Sequence, residues 1–189
     1  GYTTYVDLVR GAFPEKELLV SGMRGEVQRC RAALERAASG ATVALVCSGD
    51  PGVYGMAGLV LELAQDMGLT DAVDVEVIAG VTAATGGAAL LGAPLMHDFC
   101  LVSLSDLLTP WDAIEARLRA AARGGFVICL YNPCSHGRPD HLAHAAQILL
   151  EELPPTCVCG IAHNVGRPGE GARVLTSGDL AEAPADMTS

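Results

Sequence analysis

Four short segments hold the residue types that chemistry needs: "SGDPGVYG" (48–55), "AGVTAAT" (79–85), "SLSDLLTPW" (103–111) and "YNPCSHGRPD" (131–140). The first sets Gly49, Gly52 and Gly55 around Asp50 and Val53. Glycines permit positive φ and let a ligand approach the main chain closely, and Asp50 is a partner for a ligand hydroxyl or amine. A plain turn whose aspartate caps the following helix accounts for the same residues. The segment matches neither GxGxxG nor GxxxxGK[ST], so the nucleotide fingerprints are absent. In the second segment Thr82 stands at an expected helix N-cap. The amides behind it suit a carboxylate or a hydroxyl, although an ordinary capped helix reads the same.

Asp106 in the third segment, with His97 and Asp98 further upstream, are candidate acid/base groups. Solvated loop carboxylates are the commoner reading of both aspartates. Arg138 and Arg167 lie in Gly/Pro loops, where a guanidinium fork could clamp an acidic substrate. His141 and His144 are three apart beside an apolar helix face. Two histidines without a third ligand read as surface residues rather than a metal site. No Ser/His/Asp order or nucleophile elbow is present, so a covalent catalyst is not expected.

The elements that must position these segments alternate. Residues 24–39 place Val27, Cys30 and Leu34 on one side and Glu26, Gln28, Arg29, Glu35 and Arg36 on the other, an amphipathic helix closed by Gly40. "TVALVC" (42–47) is continuously apolar, as a strand covered on both faces would be. Helix is expected over 56–67, strand over 75–79, a small-residue helix over 82–91 and strand over 99–104. Trp111, Ile114, Leu118 and Ala121 mark a further helix, followed by a strand over 126–131. Leu142, Ala145, Ala146 and Leu149 mark the next helix, before strands over 157–164 and 173–177. The alternation predicts an α/β fold with largely parallel strands. In such sheets ligands bind beyond the carboxyl ends of the strands, which is where all four segments fall. Gly and Pro interrupt the alternation at 91–98, so two lobes are expected, 1–95 and 96–189.

A chain of 189 residues, half of them hydrophobic, can bury one substantial core or two small ones. A formal net charge of −10 argues against nucleic acid, whose phosphates want a basic face. It leaves room for an acidic small molecule in a locally basic pocket. The seven cysteines show no CxxC pair, which excludes the common zinc spacing and fits a reducing, cytoplasmic compartment. The uncharged stretch 77–96 begins at Val77 and reaches membrane-spanning length. It is built from Gly, Ala and Thr with Pro94 near its end, so a buried strand, loop and helix suit it better. No signal peptide is visible, so a membrane partner is not expected.

Taken together, the "SGMRGEVQRCRAALERAASG" helix, the GDPGVYGMAG loop, "VEVIAGVTAATGGAALLGAP", SLSDLLTPW and LYNP resemble the tetrapyrrole methyltransferases of cobalamin biosynthesis over essentially the whole chain. The resemblance implies a two-lobed, homodimeric α/β enzyme that holds S-adenosyl-L-methionine in the cleft between its lobes. It also implies transfer of a methyl group to C17 of an acidic corrinoid precursor, coupled to ring contraction. By the same resemblance Gly49, Asp50, Val53, Thr82, Tyr131, Asn132 and Asn164 contact the cofactor. His97, Asp98 and Asp106 then become the candidates for the proton handling of ring contraction, and Arg24, Arg138 and Arg167 the clamps on substrate carboxylates; no metal is implied. Ala79 stands where the family has proline. The family's first strand with its GxGPG turn and its last strands have no counterpart here, so truncation at both ends is expected. The rival readings are a sibling of the same fold acting on another position or substrate, and a non-catalytic ligand-binding module.

Overall fold

A computed structural model of the chain describes residues 1–135, 137–186 and 188–189. Its contacts divide it into two units, Gly1–Thr82 and Ala83–Ser189. The division thus falls ahead of the Gly/Pro interruption at 91–98. The reason is local: the helix following Thr82 packs on strands of the second unit.

The first unit holds α1 (Thr3–Arg10), α2 (Glu26–Ala38) and α3 (Ala57–Asp66). Its core is the seam between α2 and α3, where Cys30 and Leu34 meet Met56, Leu63 and Ala64. Cys30 and Leu34 are four apart and so share one helix face, as expected. Two expectations for α2 fail. Val27, read as inward, is 44% exposed, and Arg29, read as solvent-facing, is 8% exposed. A guanidinium can be buried where its N–H groups are satisfied. Arg29 Nε donates to Ser21 Oγ (2.7 Å), Nη2 to the Gly22 carbonyl (2.9 Å) and Nη1 to Met56 Sδ (3.3 Å). Its guanidinium also lies 5.8 Å from the centre of the Tyr2 ring.

The strands expected over 42–47 and 75–79 are not strands in this unit. A strand is held by its ladder, and among the described residues neither segment has one. Each is only partly covered. Leu45, Cys47, Val73 and Val75 pack on the α2–α3 seam, whereas Ile78 is 75% exposed. The continuous apolar runs therefore do not mark burial on both faces.

The second unit contains α4 (Ala83–Leu90), β1 (Phe99–Ser103), α5 (Trp111–Arg123), β2 (Val127–Tyr131), α6 (His141–Leu150), β3 (Val158–His163) and β4 (Gly171–Thr176), then a 3₁₀ turn, Leu180–Glu182. β1 and β2 pair in parallel, Phe99 opposite Val127 and Ser103 opposite Tyr131. A parallel pair needs a long crossover, and α5 supplies it. Val102 and Leu104 pack against Ile114, Leu118 and Ala122 of α5 and against Ala145, Ile148 and Leu149 of α6.

β3 and β4 pair antiparallel, Val158 opposite Thr176 and His163 opposite Gly171. The expectation of parallel strands fails here because the short link between them, with Gly166, Pro168 and Gly169, can close a hairpin but not a crossover. The α/β class holds, with one parallel and one antiparallel pair. α4 lies on this hairpin at Gly87, where an added Cβ would sit 2.9 Å from Ala162 Cβ. Among the described residues no helix is long and apolar enough to cross a membrane.

Candidate functional site

The glycine loop of the first unit is stitched to the Ala79–Gly80 segment through Asp50. Asp50 Oδ1 accepts from the Gly52 amide (2.7 Å), Oδ2 from the Gly80 amide (2.9 Å), and its carbonyl from the Val53 amide (3.2 Å). The Gly80 amide first, and then that of Gly52, hold the Asp50 carboxyl below the usual carboxylate range. The two backbones touch at this point, since a Cβ on Gly80 would collide with the Gly49 carbonyl oxygen. Gly49 turns at φ +73° and Tyr54 at φ +50°. The aspartate read as a ligand partner or a helix cap thus binds two loops of its own chain, and it forms no side-chain cap on α3.

In the second unit the carboxyl ends of β1 and β2 come together, as parallel pairing requires. Asn132 follows β2 at φ +54°, and its Nδ2 donates to Ser103 Oγ at the end of β1 (2.9 Å). Tyr131 Oη accepts the Ala84 amide in the first turn of α4 (2.8 Å). That amide, read from sequence as open to a ligand, is therefore already satisfied. Asn164, at φ +49° after β3, donates from Nδ2 to His163 Nε2 (2.8 Å). His163 Nδ1 faces Asp186 Oδ1 (3.4 Å) along an open groove of about 400 Å³ whose lining includes Ile161, Arg173 and Pro184.

Asp106 lies just beyond β1 and is bracketed by side chains. Arg138 Nη1 donates to its Oδ1 (3.0 Å) and to Ser105 Oγ (3.1 Å). His141 Nε2 lies 3.7 Å from Oδ2. Trp111, opening α5, stacks on His144 at 4.5 Å between ring centres and tilts against His141 at 4.9 Å. Both histidines belong to an aromatic cluster; His144 is exposed, as its sequence reading has it, whereas the His141 side chain is only 16% exposed. The Trp111 indole nitrogen is buried without a hydrogen-bond partner among the described residues.

Asp106 and Arg138 are thus brought together, whereas His97 and Asp98 are not brought to them. These two are exposed at the amino end of β1, and five strand residues, about 16 Å of chain, separate them from its other end. Arg24 is exposed at φ +63° ahead of α2. The Arg167 amide donates to the Asn164 carbonyl (2.9 Å) in the hairpin link. Sequence reasoning missed the buried Arg29 and the partner of Asp106. The only trace of the latter was the spacing that puts Trp111 and His141 each at the start of a helix following a strand. Among the described residues no His, Cys, Asp and Glu group could hold a metal ion.

A profile of the family described as Tetrapyrrole (Corrin/Porphyrin) Methylases matches residues 4–181. The probable cobalt-factor III C(17)-methyltransferase of Salmonella typhimurium is 50% identical over 100% of this chain and 78% of its own length. The precorrin-3B C(17)-methyltransferase of a Sinorhizobium species is 44% identical over 100% of this chain and 74% of its own. The crystal structure of the methyltransferase CobJ superposes with a TM-score of 0.92 at 38% identity, covering 100% of this chain and 78% of that one.

Proposed function

The chain belongs to the tetrapyrrole (corrin/porphyrin) methylases, and from that membership we propose that it is a C-methyltransferase. Its reaction is transfer of a methyl group to C17 of precorrin-3B, or of its cobalt-bearing counterpart cobalt-factor III, coupled to ring contraction in cobalamin biosynthesis. The observation that carries this reading is the likeness at 50% identity over the full chain to a relative named for that reaction.

The methyl donor is S-adenosyl-L-methionine, whose sulfonium supplies an electrophilic methyl when bound. A cradle in which Gly80 has no room for a Cβ beside Gly49 suits a ligand gripped by main chain. The residues proposed to hold it are Gly49, Asp50, Val53 and Thr82 in the first unit and Tyr131, Asn132 and Asn164 in the second. Asp50 acts there by fixing the loop, because both its carboxylate oxygens already accept main-chain amides. Arg24, Arg138 and Arg167 are the proposed partners of substrate carboxylates. Asp106 is the proposed proton-handling group, with His97 and Asp98 as candidates at the far end of β1. The protein's work is to orient the reacting carbon and exclude water. A two-lobed, cytoplasmic homodimer completes the reading, and seven free thiols agree with a reducing compartment.

The test supplies methyl-labelled S-adenosyl-L-methionine with precorrin-3B or with cobalt-factor III. Label in one tetrapyrrole names the substrate, and NMR of the product locates the methyl. Label at a carbon other than C17 would make the protein a sibling enzyme, and absence of label from both would overturn the reading. Asp106→Asn alongside a double His97→Ala, Asp98→Asn variant decides which end of β1 serves the chemistry.

A further inference from the structure

The surroundings of Asp106 contain more than a carboxylate needs for solubility. A tetrapyrrole that gains a methyl as a cation equivalent must release one proton to balance its charge. The bonding pair of that proton stays on the macrocycle. A carboxylate that takes the proton becomes a neutral acid, and it serves again only after passing the proton on. The side chain beside Asp106 that can receive it is His141.

The tautomer of His141 is fixed by its main-chain neighbour. Nδ1 lies 2.7 Å from the Leu104 carbonyl oxygen. A carbonyl can only accept, so Nδ1 carries a hydrogen, and in the neutral ring Nε2 then carries the lone pair. That lone pair faces Asp106 Oδ2 at 3.7 Å. Two lone pairs facing each other gain nothing until a proton comes between them. Arg138 occupies the other oxygen, Oδ1, and the Asp106 side chain is still 41% exposed, open to a ligand. Trp111 tilts against the imidazole and limits its rotation.

We propose that His141 is the positioning partner of Asp106: its imidazole, held as the Nδ1–H tautomer by the Leu104 carbonyl, receives at Nε2 the proton that Asp106 takes from the tetrapyrrole. This rests on the methyltransferase reading above. The proton leaves the macrocycle for an Asp106 oxygen and moves from Oδ2 to Nε2 once the two, 3.7 Å apart in the free protein, close to hydrogen-bond distance with substrate bound. The carboxylate is thereby restored beside an imidazolium, which then loses the proton to water.

The experiment pairs turnover with a readout that needs none. His141→Gln keeps a polar side chain but has no basic nitrogen. It should lower kcat roughly 10²-fold, the lower part of the range for general acid–base catalysis. KM for the tetrapyrrole should stay at its wild-type value, and added imidazole should restore part of the rate. Wild-type kcat in His141→Gln overturns the proposal, as does a loss that appears only in KM or in stability. In ¹⁵N-histidine-labelled protein, His141 should show the Nδ1–H tautomer, and its Nε2 signal should shift in Asp106→Asn. An Nε2–H tautomer, or spectra unmoved by Asp106→Asn, overturns the pairing. If the wild-type chain transfers no methyl, the reading of function fails, and the ¹⁵N result alone decides whether the pair exists.

Discussion

At Asp50 both carboxylate oxygens accept main-chain N–H groups, from Gly52 and Gly80. At Asp106 both face side chains, Arg138 and His141. The first aspartate is used up in holding two loops in register, and what it presents to a ligand is backbone. The second lies between a guanidinium from the loop after β2 and an imidazole at the start of α6, and what it presents is its own carboxylate. In the proposed reading, binding by main chain and chemistry by side chain are built with one residue type in two surroundings. The main-chain site should fail when backbone is forced apart, and the side-chain site when the packing beneath it loosens.

The largest effect is expected beneath the Asp106 cluster. Leu118 is fully buried between β1 and α6, and Leu118→Ala should cost about 2–5 kcal/mol in urea denaturation. The cluster should loosen with it, seen as a weaker shift of His141 signals on Asp106→Asn. A cost below about 1 kcal/mol would mean that this site collapses around the gap.

Gly80→Ala comes next. The added methyl meets the Gly49 carbonyl, a backbone atom that cannot rotate away. The expected cost is roughly 1–3 kcal/mol, with calorimetric binding of S-adenosylhomocysteine lost. Retained affinity in a folded variant would remove the glycine loop from the proposed cofactor site.

The two regions differ as much in how far sequence reveals them. The glycine loop was legible as a loop from residues that permit positive φ, although Gly49 turns there (φ +73°) while Gly52 and Gly55 do not and Tyr54 does (φ +50°). The stitch from Asp50 to Gly80 was not, because it joins residues thirty apart through a contact no local pattern encodes. Helices α2, α5 and α6 were legible from their apolar spacing. Arg29 was misread because periodicity sorts by polarity, while a guanidinium with three satisfied donors is buried despite its charge. The strands at 42–47 and 75–79 were misread because an apolar run shows that something covers it, not that a ladder partner lies beside it. His141 was set aside as one of a pair of surface histidines. Its role is defined by Leu104, Asp106 and Trp111, which parallel pairing of β1 and β2 and the helices after them bring together.

A smaller effect, of pH, is expected at Asp50. The folded-state pKa of Asp50 lies below its ordinary value of 3.8, with the Gly80 amide as the first cause. A depressed carboxylate contributes stability that is fully present above about pH 3.8 and is lost as pH falls through the folded value. Asp50→Asn removes the titrating charge. The wild type should therefore lose its advantage over this variant progressively below pH 3.8, and keep it unchanged at neutral pH. A gap between the two in thermal midpoint that stays constant down to pH 2.5 would mean that the carboxylate charge does not hold the loops.

The smallest effect lies outside both regions, where α5 meets the end of α6. Arg119 donates to Glu115, Glu151 and Glu152, and Arg123 to Glu152. These are solvated pairs that screening weakens. Arg123, whose side chain is 67% exposed, should be replaceable by alanine with a slight fall in thermal midpoint at low salt and none at 1 M NaCl, where the screening length is about 3 Å. Arg119, at 24% exposed, also lays its stem along the protein surface. Arg119→Ala should therefore retain part of its effect in high salt, because lost packing is not screened. Equal salt sensitivity in the two variants would mean that Arg119, like Arg123, acts through charge alone. The Asp106 cluster would then rest on the buried contacts of Leu118 and Ile148 without help from the surface.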